Sequence, residues 1–217
     1  MVGKTVCILM AAACATIAFA QEKPPANEVA IPGGRVVNYE PITGKERVKW
    51  FEWMTVGPAS LTGGLVSAGF GTWRDTPSEY GSHWEGFGER YGMRLTGVAT
   101  SNAMEAGIGA LWGEDPRYFR APEEPFAERI VHVVKWTFVA TDRNGHAAPA
   151  YARYMAISGS NFLSNTWREP SEADTSHAID RIAFGFLGRM ASNAWQEFWP
   201  DLSARVFHYH PRHVPGQ

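Results

Sequence analysis

The chain has 217 residues, enough for one domain with a sizeable core, and 20 basic against 22 acidic residues leave a formal charge of -2 with no basic tract, so nucleic acid is not an expected partner. Only 19% of the residues are charged, while 22 glycines and nine tryptophans combine many small side chains with many large aromatic ones, a composition of closely packed helices, of a membrane interface, or of both.

The first twenty residues read as an export signal: Lys4, an apolar run from Val6 to Ile17, then Ala18-Phe19-Ala20 as a small-x-small cleavage site. The run is too short for a membrane span. A lipobox-like Ala-Ala-Ala-Cys ending at Cys14 offers a rival processing site, although it lacks the usual leucine. Cys7 and Cys14 both fall in this segment, so a chain cleaved after Ala20 has no disulfide, no zinc-thiolate site and no cysteine nucleophile. Removing Lys4 leaves 19 basic against 22 acidic residues, a net charge near -3.

Residues 21–42 hold four prolines and no periodic apolar face, and are expected to form an extended arm. Thr43 followed by Glu46 has the spacing of a capping box and starts a helix that Gly57-Pro58 should end or kink. Met54 to Thr72 is an uncharged run of small residues, suited either to a core helix or to a membrane-inserted segment.

A long helix is expected from Ser82 to Trp112. At 100° per residue, Gly88, Gly92, Thr96, Ala99, Ala103, Gly107 and Ala110 fall in one stripe, with Arg90, Arg94, Ser101 and Glu105 opposite. The stripe would let another backbone approach closely, and the charged face should meet water or a polar interior. Further helices are expected over Pro125–Thr141, Pro149–Arg168 and Ser176–Trp199, with a turn at Asp142–Gly145 and a stop at Pro200. Small residues recur at Ala152, Ala156, Gly159 or Ser160, and at Gly185 and Gly188. The fold class is therefore all-α: a bundle of about five helices with glycine- and alanine-rich packing faces over residues 43–205, followed by a tail over 206–217. Trp50, Trp53, Trp73, Trp84, Trp112, Trp167, Trp195 and Trp199 lie near helix ends, as an interfacial belt or as plugs closing a glycine-lined bundle.

Three constellations carry possible chemistry. In GEDPRYFR, residues 113–120, Gly113 should stop one helix and Asp115-Pro116 should cap and start the next, with Asp115 accepting from the backbone of Arg117 or Tyr118 and Arg117 answering Glu114 or Glu105. Arg117, Tyr118 and Arg120 remain as candidate ligand-binding residues for a phosphate or carboxylate. In HWEGFGERYGMR, residues 83–94, Glu85 and Glu89 are one turn apart beside His83, and are candidate ligand or acid-base groups; the plainer reading is an ion-pair network with Arg90 and Arg94 on a solvated face. His208, His210 and His213 are weak metal candidates, without a carboxylate or fourth ligand beside them. No cofactor motif is present: the glycines at 86, 88 and 92 follow no strand, and SGSNFLSN is no nucleophile elbow.

Val56-Gly57-Pro58, the Glu-Gly-Phe-Gly-Glu-Arg-Tyr-Gly of 85–92, the octet 113–120 and Phe198-Trp199-Pro200-Asp201 together resemble a family of exported bacterial proteins that share the Gly-Glu-Asp-Pro-Arg-Tyr-Phe-Arg motif. The resemblance implies a shared fold and, because no activity is established for that family, transfers no catalytic residue. The expected function is a structural, interaction or membrane-associated role in the periplasm or envelope, with a membrane or envelope component as partner. One alternative is a hydrolase or transferase acting on a phosphate- or lipid-bearing substrate, in which Asp115, Arg117, Arg120, Glu85 and Glu89 converge on one pocket. Another is a small membrane-embedded helical protein with a transport or assembly role.

Overall fold

The computed structural model describes residues 30–31, 35–36 and 39–207. The proposed signal peptide, most of the arm and the three C-terminal histidines lie outside them. In the arm, β1 (Ala30–Ile31) and β2 (Arg35–Val36) form an antiparallel pair.

Six α-helices follow. The first is α1 (Gly44–Val56), opened by the capping box: Glu46 N donates to Thr43 Oγ1 at 3.3 Å and Thr43 N to Glu46 Oε2 at 2.7 Å. The backbone and side-chain bonds from Thr43 hold the Glu46 carboxyl below its ordinary pKa. Gly57 separates α1 from α2 (Pro58–Trp73), so what the sequence leaves as a stop or a kink is a true break between two helices. Only glycine fits there, because a Cβ would lie 2.2 Å from the Trp53 carbonyl oxygen.

The long helix is α3 (Trp84–Trp112), packed against α1, α2 and α5 (Tyr151–Leu163). Between α3 and α5 come α4 (Phe126–Phe138) and a hairpin of β3 (Val139–Thr141) with β4 (Ala147–Pro149). The helix expected to reach Thr141 thus stops early, its last residues becoming a strand around a turn closed by Gly145 at φ 82°. Likewise α5 ends before Arg168, giving way to a 3-10 turn at Ser164–Thr166.

The last helix, α6 (Thr175–Phe207), packs on α4 and α5. It runs through Pro200, which the sequence reading makes its stop. Proline removes one backbone donor and its ring opens the turn before it. The neighbouring carbonyl of Glu197 is not left bare: it accepts from Arg120 Nη2 at 2.9 Å and Arg129 Nη2 at 2.7 Å. Guanidinium groups from elsewhere thus bond the carbonyl three residues before the proline.

The fold is therefore an all-α bundle with two very short ladders. Among the described residues no helix is long and apolar enough to cross a membrane. A small aromatic core of Tyr118, Phe119, Val133 and Trp136 sits where the octet, α4 and α6 meet. Elsewhere Trp50, Ile157 and several alanines are buried among polar groups, and the largest fully buried side chains are Glu105, Glu197, Asn193, Thr137, Thr141, Asp115 and Ser164. Large apolar groups stand outside, among them Trp73 at 79% exposure, Leu111 at 78% and Trp84 at 68%. The tryptophans divide accordingly, with Trp50 and Trp136 buried as plugs and Trp73, Trp84, Trp112 and Trp195 facing outward.

Candidate functional site

The octet begins where α3 ends. Gly113 adopts φ 84°, and its amide donates to Gly109 O at 2.8 Å, a left-handed C-cap that only glycine takes without strain. A Cβ there would also strike the Arg143 side chain. Glu114 then turns inward. Its carboxylate accepts from Trp112 Nε1 at 3.2 Å and from the Ala152 amide at 2.9 Å, which caps the N-terminus of α5 from outside that helix.

Residues 114–120 are extended rather than helical, which corrects the expectation that Pro116 starts a helix. The cause is the Asp115 backbone, whose amide donates to Thr141 O at 2.8 Å in a bridge to β3. One part of the capping expectation survives: Asp115 Oδ1 accepts from the Arg117 amide at 3.0 Å, closing a local turn. Arg117 then folds back on Asp115, with Nη2 at 2.7 Å from Oδ2, instead of answering Glu114 or Glu105. Its other contacts are Glu40 O at 2.8 Å and Glu46 Oε1 at 3.8 Å, so one guanidinium ties the arm and the cap of α1 to the octet. Burial works against the charge of Arg117, but the bonds and charge of Asp115 outweigh it and raise its pKa. Tyr39 donates to Asp115 Oδ2 at 3.1 Å, and its hydroxyl is pushed up by burial and then by the Asp115 charge.

The second half of the octet converges on Glu197, which is fully buried on α6. Its carboxylate accepts from Tyr118 OH at 2.9 Å, from the Ala121 amide at 3.2 Å and from Arg129 Nε at 2.6 Å. Arg120 reaches the Glu197 carbonyl and Asp201 Oδ1, the latter at 3.1 Å, and Arg129 Nη1 lies 2.7 Å from Asp201 Oδ2. Burial, followed by the Glu197 charge, drives the Tyr118 hydroxyl far above its usual pKa, so it is a permanent donor here. A second buried centre joins three helices: Glu105 of α3 accepts from Arg153 Nε of α5 at 2.9 Å and from Arg189 of α6. Arg153 also closes the C-terminal carbonyls of α4, with Nη1 at 2.8 Å from Trp136 O.

Arg117, Tyr118 and Arg120 are thus brought together, but their donors meet carboxylates and carbonyls of the same chain. Glu85 and Glu89 are exposed near the other end of α3, about 40 Å and about 35 Å from Trp112 at the rise of an α-helix. They do not join the octet in a common pocket. Nor do they form the expected network, because Arg90 bonds the carbonyls of Thr76, Pro77 and Gly81 and Arg94 that of Ser60. No group of three or more potential metal ligands occurs among the described residues. Among the described residues, one surface cavity of about 270 Å³ is lined by Arg47, Val48, Phe51, Ala103, Ala106 and Gly107 and another of about 310 Å³ by Tyr80, Glu89, Gly92, Met93, Trp167 and Glu169; residues 113–120 line neither of these two.

The sequence reading missed Glu197, Arg129, Arg153 and Arg189. Arg153 and Arg189 each interrupt an apolar stretch, and a lone charge among apolar neighbours is the signal that an internal partner exists; Arg129 beside Glu128 and Glu197 beside Gln196 give no such signal. Comparison with protein-family models, with curated proteins and with solved structures gives no match to this chain.

Proposed function

We propose that this chain is an exported structural or interaction protein of the cell envelope, acting through its outer surface rather than by catalysis. One observation carries this reading: charge is paired inside while large apolar side chains stand outside. Asp115, Arg117, Tyr118, Arg120 and Glu197 are engaged with one another, with Asp201 or with backbone carbonyls, whereas Phe70, Trp73, Trp84, Leu111, Phe126 and Phe184 stand more than half exposed. Exposed large apolar groups in such number support a role in contact with another molecule.

A second, membrane-embedded reading draws on the outer face of α3. From Gly92 to Leu111 its charged residues, Arg94 and Glu105, turn inward, as charges do in membrane bundles. Washing envelope membranes with alkaline carbonate separates the two. Release of the chain is expected; retention that only detergent overcomes would replace the first reading by the second.

A further inference from the structure

The cavity of about 310 Å³ lies near the end of α3 remote from the octet, between two turns that arginines hold in place. One wall is Tyr80, in a 3-10 turn at Ser78–Tyr80. Arg90 of α3 clamps the chain on both sides of it, donating to Thr76 O at 2.8 Å and to Pro77 O and Gly81 O at 2.6 Å, with its guanidinium 5.6 Å from the centroid of the Tyr80 ring. The other wall is Trp167 and Glu169, just past the turn at Ser164–Thr166. Arg181 of α6 brackets that segment, with Nη1 2.8 Å from Glu172 O and Nη2 bonded to Asn161 O and Asn165 Oδ1. Glu89, Gly92 and Met93 of α3 complete the lining from one face of that helix. A Cβ on Gly92 would meet nothing within 4 Å, so the cavity is open where a side chain would stand.

The lining is rich in acceptors and carbon and poor in donors. No Lys, Arg or His is among the residues around the cavity. Its two carboxylates, Glu89 and Glu169, pair with no cation among the described residues. The nearby arginines are engaged elsewhere, Arg90 and Arg181 with the oxygens just named and Arg168 with Glu172 at 3.0 Å. Burial, and then the charges of Glu169 and Glu172, raise the Tyr80 hydroxyl above its ordinary pKa, with Glu89 adding to them against Arg168. These carboxylates therefore bear on one point. The indole N–H of Trp167 has neither solvent contact nor a hydrogen-bond partner among the described residues, so Trp167 turns ring carbon and not its donor to the cavity. Such a lining repels anions. Nor does it suit a metal ion, because two carboxylates lack the further ligands a hard cation takes and no group of three occurs among the described residues.

We propose that this cavity binds an alkylated ammonium group of the choline type, set between the Tyr80 and Trp167 rings and the Glu89 and Glu169 carboxylates. A methylated ammonium spreads its charge over methyl groups and donates no hydrogen bond, so it is satisfied by aromatic and thioether surface in a negative field. Tyr80, Trp167 and Met93 supply that surface, and Glu89 and Glu169 supply the field. Gly92 leaves the space the methyl groups fill. Glu89, which the sequence pairs with Glu85, thus works with Glu169 from the far side of the cavity instead.

Choline chloride is the probe, titrated calorimetrically into the full chain at constant ionic strength. Saturable millimolar binding is expected, with the uncharged tert-butyl analogue of choline binding about tenfold more weakly or not at all. Glu89→Gln and Glu169→Gln should each weaken binding about two- to fivefold, the range of an exposed ion pair. Trp167→Leu should weaken it about two- to thirtyfold, the range of one ring–cation contact. Gly92→Leu, whose side chain would occupy the cavity, should abolish binding while the circular-dichroism melt is unchanged or raised, which separates loss of the site from loss of the fold. Flotation with phosphatidylcholine vesicles distinguishes the source: flotation that free choline reverses assigns the site to a lipid headgroup, and choline binding without flotation assigns it to a soluble ammonium compound. No saturable binding up to about 0.1 M choline, equal binding of the uncharged analogue, or binding indifferent to Gly92→Leu and to both glutamate substitutions would overturn the proposal. Release by carbonate does not bear on this site, so it stands or falls apart from the outer-surface reading.

Discussion

Glu197 shows how much a single side chain can organise. It receives a phenol, an amide and a guanidinium with no water access, so its removal leaves Arg129 and Tyr118 buried without their acceptor. Breaking a buried pair from one side costs about 3–5 kcal/mol. Glu197→Ala is expected to lower the melting temperature by roughly 6–20 °C in a domain of this size, measured by circular dichroism. Arg117→Ala, which removes charge-assisted bonds to Asp115, should cost about 1.5–3 kcal/mol in urea titration. Neither should change the binding of inorganic phosphate if the octet is a joint; a phosphate affinity that falls with Arg117→Ala would show a ligand site instead. His132 supplies a pH dependence. Burial lowers its pKa from the ordinary 6.5, against the favourable bond from the ring to Phe119 O at 2.8 Å. The unfolded chain therefore takes up the proton first, and stability is full above pH 6.5 and declines as pH falls below it toward the folded-state value. Comparing urea midpoints at pH 7.5 and 5.5 for the native chain and His132→Gln checks this: the variant should lose less on acidification.

At the scale of elements, two kinds of glycine are distinguished by what surrounds them. Gly113 ends α3 at positive φ with Arg143 against it, so Gly113→Ala should destabilise by 1 kcal/mol or more, that is by at least about the value of a strained left-handed residue. Gly92 is in mid-helix with open space around it, and Gly92→Ala should stabilise the isolated monomer by about 0.5–1 kcal/mol. Opposite signs in the same denaturant experiment are the expected outcome; equal losses would mean that the stripe is packed within the monomer. The capping box, the break at Gly57-Pro58 and the long helix to Trp112 were legible because each depends on neighbours a few residues away. Pro200 and Pro116 misled for a common reason. Local rules end one helix and start another, but Arg120 and Arg129 bond the Glu197 carbonyl beside the first proline and Thr141 draws the second's flank into an extended bridge.

For the whole molecule the inversion of polarity is the governing feature. Ion pairs such as Arg153 with Glu105 and Arg129 with Glu197 have little contact with solvent, so dissolved salt screens them weakly. Raising ionic strength from about 0.05 M to about 1 M should move the melting temperature by no more than a few degrees, whereas a fold held by surface charge would shift further. The apolar exterior predicts self-association or adsorption in the absence of a partner, and detergent at low concentration should reduce light scattering of the purified chain.

Composition and periodicity by themselves determined that the chain is helical, that α3 has one small and one charged face, and that Gly113 ends it, because these follow from local geometry and the repeat of a helix. Only the tertiary structure decided which of those faces is inside. A helical wheel separates polar from small residues but carries no sign for the direction of the core. Here Glu105 found Arg153 and Arg189 across long sequence separations, and that pairing turned the charged face inward and the glycine stripe outward. The same long-range pairing engaged Arg117, Tyr118 and Arg120 with Asp115 and Glu197.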